Sequence, residues 1–174
     1  PNKVIPDDAT YREYFDSKQR LFKPASKAAN TSEWRLLGPL NIGGRTLAIA
    51  VNPLAPNTLY AGSASGGLWR SRTSGRGAQA WEYVETGHPV LAVAAVAIDH
   101  ADTSVIYIGT GEVYGYQNSR GGRADRTTRG SYGVGILKTT DGGVSWEKSL
   151  DWSLQQKRGV QKIAIHPQNS DIVY

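Results

Sequence analysis

Beyond residue 33 the apolar residues arrive in short runs that end in turn formers. "LAIAVNP", "VAAVAIDH" and "VQKIAIHP" are each followed by a second such run, in "NTLYAGSASG", "SVIYIGTGE" and "SDIVY". Runs of this length bounded by Pro, Asn, Asp, Gly and Ser predict β-strands joined as hairpins. The first 33 residues follow a different period. In "DDATYREYFDSKQRLF", Tyr11, Tyr14, Phe15 and Leu21 fall near a helical stripe, which predicts a short N-terminal helix followed by a linker, "KPASKAANTSE".

The strand pairs are copies of one another. Placing Ala50-Val51-Asn52-Pro53 over Ala97-Ile98-Asp99-His100 and Ala164-Ile165-His166-Pro167 brings Tyr60, Tyr107 and Tyr174 into register, at spacings of 47 and 67 residues. A third strand repeats as well: "GLWRSRTSG" from Gly67 matches "GILKTTDGG" from Gly135. A tryptophan then closes each copy, Trp81 or Trp146, and Trp34 closes the stretch before. The additional length of the second copy lies between Glu112 and Gly133, as expected for a loop inserted on a constant framework. A period of roughly 40 to 50 residues built from short strands is the signature of a β-propeller blade, a small sheet that needs neighbours to cover its faces. The expected organisation is a helix and linker over 1–33 and an incomplete all-β propeller over 34–174. Blade 1 is expected at about 34–81, blade 2 at about 82–146 with an insertion at 113–132, and the start of blade 3 at 147–174, two to three blades in all.

One turn carries a more specific signal. In "TTDGGVSW" the Asp141 carboxylate is placed to accept N–H groups of its own turn, and Trp146 is placed to pack between strands. The pattern Thr139-x-Asp141-x-Gly143-x-Ser145-Trp146 resembles the Asp box of the BNR-repeat propellers, a superfamily that includes sialidases, xyloglucanases and sortilin. The resemblance covers about residues 34 to 174 and implies a stabilising turn away from the active face. The first copy departs from it: Thr73 replaces the Asp and three more residues precede Trp81, so its turn is expected to be looser. "WRLLGPLNIGGRTLAIAVNPLAPNTLYAGSASGGLWRS" is also similar to the opening blade of large secreted bacterial members. The resemblance therefore implies an extracellular or cell-surface location. In the xyloglucanase-like members the stretch after Tyr60 carries a catalytic Asp; here Ala64 stands in that place, and a methyl group can act neither as acid nor as base.

Composition narrows the chemistry. The 174 residues contain no Cys, which removes thiolate nucleophiles, disulfides and Cys-type zinc sites. They contain no Met either, as expected of a processed chain or a piece of a longer one. The net charge of +5 is modest and its Lys and Arg residues form no long basic block, so nucleic acid is not an expected partner. No apolar run approaches the roughly 20 residues of a membrane-spanning helix. His88, His100 and His166 lack metal-ligand spacing, and "GTGEVYG" lacks the third glycine and the helix of a dinucleotide loop. Neither a metal nor a cofactor is expected.

Two features remain for function. Glu112, at the end of "YIGTGE", has two readings: a carboxylate of a sugar site, or a loop cap that pairs with an arginine of the insertion. Within that insertion Arg120, Arg123, Arg126 and Arg129 recur every three residues among Gly, Ser and Thr, with Tyr114 and Tyr116 on one flank and Tyr132 on the other. Guanidinium forks suit carboxylate, sulfate or phosphate, and tyrosine rings can stack on sugars; a solvated loop is the plainer reading. Three functions stay open: a secreted or surface propeller that binds a glycan, anionic or not, or a protein and is not an enzyme in this region; a glycoside hydrolase of sialidase or xyloglucanase type with its carboxylates mostly on other blades; and a protein-interaction or assembly scaffold. The rest of the ring is expected from the same longer chain or from a second chain.

Overall fold

Antiparallel sheets dominate the protein. Its structure, a computed structural model, describes residues 9–21, 44–113, 131–154 and 158–174. Helix α1 spans Ala9–Leu21. Strands β1 (Thr46–Val51), β2 (Leu59–Ser63), β3 (Leu68–Ser71) and β4 (Glu82–Val84) form one four-stranded sheet in sequential order. Strands β5 (Val93–Ile98), β6 (Ile106–Thr110), β7 (Gly135–Thr139) and β8 (Glu147–Asp151) form a second, and β9 (Ile165–His166) pairs with β10 (Asn169–Val173).

The copies seen in the sequence share one register. Ala50 pairs with Tyr60 and Ala97 with Tyr107. Ala164 and Tyr174 exchange backbone hydrogen bonds of 2.9 and 2.8 Å in the third. The first strand of each complete sheet even carries its irregularity at the same place, between Thr46 and Ala48 and between Val93 and Ala95. Such a bulge adds local twist and turns the strand end. The sheet limits differ from the expected ones. Trp81 and Trp146 do not end the first two sheets but lead into their fourth strands, so the sheets extend to Val84 and Asp151. The residues that follow each indole still find ladder partners on the third strand: Arg70 pairs with Glu82 and Lys138 with Glu147.

Each sheet buries one face on the next. One core is made of Tyr60, Leu68 and Val84 from the first sheet together with Ile98, Ile106, Ile108 and Leu137 from the second. A smaller one joins Ala95 and Tyr107 of the second sheet to Ile163, with Val160, Ile165 and Val173 packed around it. Alternation along β5 serves both: Val96 and Ile98 face the first core, Ala95 and Ala97 the second.

Two glycines set how closely the sheets approach. A Cβ built on Gly62 would lie 2.3 Å from the Val93 carbonyl oxygen and 2.8 Å from its Cγ1, and one on Gly109 would lie 2.6 Å from Val160 Cγ1. Gly62 and Gly109 are equivalent in the repeat, and so are Val93 and Val160. Each second strand therefore leaves a hole that a valine of the next unit fills. Helix α1 lies at the outer edge of this stack, where Tyr11 packs against the first core. Lys148 Nζ donates to Tyr11 Oη at 2.6 Å while sitting 4.4 Å from the ring centroid.

The glycine contact gives a direct test. Gly62→Ala forces the Val93 backbone to move and is expected to cost about 1–3 kcal/mol in denaturant unfolding, whereas Gly44→Ala, with no atom within 4 Å of the added carbon, should be close to neutral.

Candidate functional site

Up-and-down connectivity sorts the loops onto two ends of the stack. One end collects the entry to each first strand and the connections between second and third strands. The other collects the first-to-second and third-to-fourth turns.

At the first end Glu112 is buried to 1% exposure. Its two carboxylate oxygens are gripped by the two terminal nitrogens of Arg45: Nη1 on Oε1, and Nη2 on Oε2 at 2.6 Å. Arg45 precedes β1 of the first sheet and Glu112 follows β6 of the second, so the pair spans the two sheets. The Arg45 side chain is 54% exposed and its partner 2%, which leaves the cation at the surface over a buried anion. Ala64 lies on the same end, buried, with its N–H on the Arg45 carbonyl at 3.0 Å.

Backbone contacts fix the base of the insertion. Glu112 N–H donates to Ser131 O at 2.8 Å and Gly133 N–H to Arg158 O at 2.9 Å. Thr110 Oγ1 accepts from Val134 and Gly135 N–H at 2.9 and 3.0 Å and donates to Gly135 O at 2.6 Å. Gly111, with φ of 89°, lets the two chains meet, since a Cβ there would fall 2.4 Å from Gly133 N. Tyr114, Tyr116, Arg120, Arg123, Arg126 and Arg129 lie outside the described residues. Tyr132, on the far flank, is described and half-buried.

The opposite end holds the turns. Asp141 Oδ1 accepts from Val144 and Ser145 N–H, both at 2.9 Å, and from Thr139 Oγ1 at 2.6 Å; Oδ2 accepts from Ser145 Oγ at 2.5 Å. Gly143 N–H completes the turn on Thr139 Oγ1 at 3.0 Å. Trp146 packs against the core between the sheets, and its Nε1 is buried with no hydrogen-bond partner among the described residues, so the indole acts by packing. The first sheet keeps half of this device. Ser71 Oγ accepts from Gly75 N–H at 2.9 Å as Thr139 does from Gly143, but Thr73 supplies no carboxylate. Both turns are also tied to the neighbouring hairpin, Ser74 N–H to Asn57 O and Gly142 N–H to Ser104 O, each at 2.9 Å. Asn52, Asp99 and His166 occupy one position of the repeat. Each accepts a backbone N–H two residues on: Leu54 at 2.9 Å, Ala101 at 2.7 Å and Gln168 at 3.2 Å.

Among the described residues no group of three His, Cys, Asp or Glu side chains is placed to hold a metal, and no helix is long and apolar enough to cross a membrane. No protein-family model matches the sequence, and no curated protein matches it. Solved structures do match. An ancestral GH74 enzyme superposes with a TM-score of 0.56 over 84% of this chain, at 20% identity. The fold is a β-propeller. In its terms the first two sheets are blades and the β9–β10 pair is the opening of a third. A GH74 xyloglucanase from Xanthomonas campestris gives a TM-score of 0.46 at 19% identity over 75% of this chain. The chain spans only 15% and 18% of the length of these two proteins.

Sequence reading singled out Glu112 but not its partner. The signal was there: Arg45 stands where the next copy has Ala92, as Glu112 stands where the first has Ser65, so both charges interrupt the repeat.

Two outcomes follow for the two ends. Arg45→Ala leaves a buried carboxylate without this cation and is expected to destabilise the protein by about 1–3 kcal/mol, more than Glu112→Gln does, as measured by denaturant unfolding. At the other end, hydrogen bonds from Ser145 hold the Asp141 carboxyl far below its ordinary value of 3.8. A carboxyl depressed in the folded state stabilises above its unfolded pKa, and that contribution is lost as pH falls. The melting temperature of the native protein should therefore drop more steeply from pH 5 towards pH 2 than that of Asp141→Asn.

Proposed function

We propose that this region is a non-catalytic, ligand-binding part of a secreted or cell-surface propeller, and that its loop-bearing end takes an anionic glycan. The observation that carries this reading is the Arg45–Glu112 pair. Bidentate pairing favours the ionised carboxylate, whereas a glycosidase general acid must carry a proton into the reaction. Ala64 supplies no second carboxylate at this end. What the end would offer in cation comes from the insertion, whose anchors Val113 and Ser131 leave from beside Glu112. Arg120, Arg123, Arg126 and Arg129 are the proposed contacts to carboxylate or sulfate, and Tyr114 and Tyr116 the proposed stacking surfaces for sugar rings. The Asp-box resemblance of Thr139 to Trp146 and the likeness to bacterial secreted propellers support the extracellular placement.

Glycoside hydrolysis is the second reading, favoured by the fold match to an ancestral GH74 enzyme. On that reading the reacting carboxylates come from other blades and Glu112 helps to shape the cleft. A scaffold that binds an acidic protein surface would use the same arginines.

The test is binding of polygalacturonate and dextran sulfate to the protein isolated from its source. Arg123→Ala with Arg126→Ala is expected to weaken binding about tenfold or more, the scale of losing charge-assisted hydrogen bonds, and no reducing sugar should appear from xyloglucan. Unchanged affinity would retire the arginine site. Release of sugar that survives Glu112→Gln would place the chemistry on other blades.

A further inference from the structure

The third-to-fourth turn of blade 2 contains the sequence's one Asp-Gly step, Asp141-Gly142. Conformation, not crowding, dictates the glycine: Gly142 holds φ of 72°, in the left-handed region that side chains rarely adopt, although a Cβ there would meet no atom within 4 Å. A main-chain nitrogen with no side chain beside it is also the least hindered nucleophile an aspartate can have for a neighbour. In an open chain it attacks the carboxyl carbon. The N–C bond forms, the nitrogen gives up its proton and the carboxyl its hydroxyl as water, and a cyclic imide results. Water then opens the ring at either carbonyl. Cleavage at the side-chain carbonyl restores aspartate; cleavage at the main-chain carbonyl leaves isoaspartate, whose backbone is longer by one carbon and whose carboxylate sits one carbon nearer to Cα.

In the folded turn both reacting groups are engaged elsewhere. The Asp141 carboxylate accepts from Thr139 Oγ1 at 2.6 Å, from Val144 N–H at 2.9 Å, and from Ser145 N–H and Oγ at 2.9 and 2.5 Å. Donors of this kind favour the ionised form, which has no hydroxyl to lose. The attacking nitrogen is held too, since Gly142 N–H donates to Ser104 O at 2.9 Å. Across the blade interface Gly142 O accepts from Arg70 Nη1 at 3.1 Å and from Tyr60 Oη at 3.5 Å. Gly142 is therefore pinned on one side by a hairpin of its own blade and on the other by blade 1. Burial contributes nothing to this protection, because Asp141 is exposed. Blade 1 has Thr73-Ser74 at the equivalent step, with φ of 56° at Ser74, and so keeps the backbone shape with no carboxyl to cyclise.

We infer that Asp141-Gly142 is a latent modification site: the folded Thr139–Trp146 turn blocks cyclisation, and opening of the turn permits it. Isoaspartate at 141 cannot rebuild the turn. Its shortened carboxylate no longer spans to Thr139, Val144 and Ser145, and its lengthened backbone displaces the Gly142 carbonyl that meets Arg70 of blade 1. Opening of this rim thus becomes irreversible by a reaction that needs only water, with no protease and no oxidant. The same hydrogen bonds that stabilise the turn decide how fast it ages. The inference is independent of the glycan reading.

The test is the rate of isoaspartate formation at 141, read by isoaspartyl-specific enzymatic methylation and peptide mass spectrometry. The full-length protein is aged at physiological temperature and neutral pH beside the same protein in denaturant and a synthetic peptide running from Lys138 to Glu147. The folded protein should isomerise about tenfold or more slower than the peptide, in proportion to how rarely the turn opens, and the denatured protein should match the peptide. Ser145→Ala, which removes the hydroxyl donor, should raise the folded-state rate severalfold. Val144→Ala removes a side chain that is 81% exposed and keeps the N–H, so it should leave the rate unchanged. Equal rates in folded protein and peptide would overturn the proposal, as would a slow rate that a folded Ser145→Ala variant does not raise. Should that variant fail to fold, urea below the unfolding midpoint reads the same gate in the unsubstituted protein: a rate that does not climb with urea would count against it. Molecules isomerised while denatured should not regain the native melting temperature on refolding, and full recovery would overturn the irreversibility.

Discussion

Close approach of neighbouring sheets is the constraint on which this molecule depends. A four-stranded sheet has two faces, and both faces of the second sheet here are apolar: Val96 and Ile98 on one, Ala95 and Ala97 on the other. The glycine on each second strand lets the next unit come near enough for the Val93 and Val160 side chains to enter. Between the sheets sit β5, whose alternating residues serve two cores, and Trp146, which packs against the first of them. A larger residue at Gly62 or Gly109 would separate the units at their tightest point rather than disturb either sheet internally.

Much of the architecture was legible because repetition converts weak local signals into strong ones. A single "LAIAVNP" is ambiguous, but three copies with tyrosines in register fix the pairing, and the observed Ala–Tyr pairs are the ones the alignment implies. Strand ends were less legible. The turn from Thr139 to Trp146 was legible as the link from a third strand to a fourth, but the limits were not: the sheets run on to Val84 and Asp151 through backbone hydrogen bonds that do not register in side-chain pattern. The candidate site was half legible. Glu112 stood out as a charge at a strand end, while Arg45 is distant in sequence and meets it only because two blades stack. Pairing across a stack is long-range information, and it is visible in sequence only as the places where copies disagree.

The two ends of the stack divide the labour. Asn52, Asp99 and His166 do one job with three different chemistries, an amide, a carboxylate and an imidazole nitrogen each accepting a turn N–H. The requirement at that end is an acceptor, and its identity is free. At the other end the copies diverge in length and charge: blade 1 turns within Ala64 to Gly67, and blade 2 carries the insertion. Variation is larger at the insertion-bearing end, while the other end keeps its acceptor position and tolerates a turn without the carboxylate and three residues longer in blade 1.

The neck beneath the insertion has a consequence for how such a protein can change. Thr110, Gly111, Ser131 and Gly133 close the two chain segments on each other through their own backbone and one hydroxyl, before the loop proper begins. With the ends already joined, doubling the loop costs only about 0.6 kcal/mol in closure entropy. The segment between them is in effect a cassette, since its length and content can change without renegotiating the core on which its ends are closed.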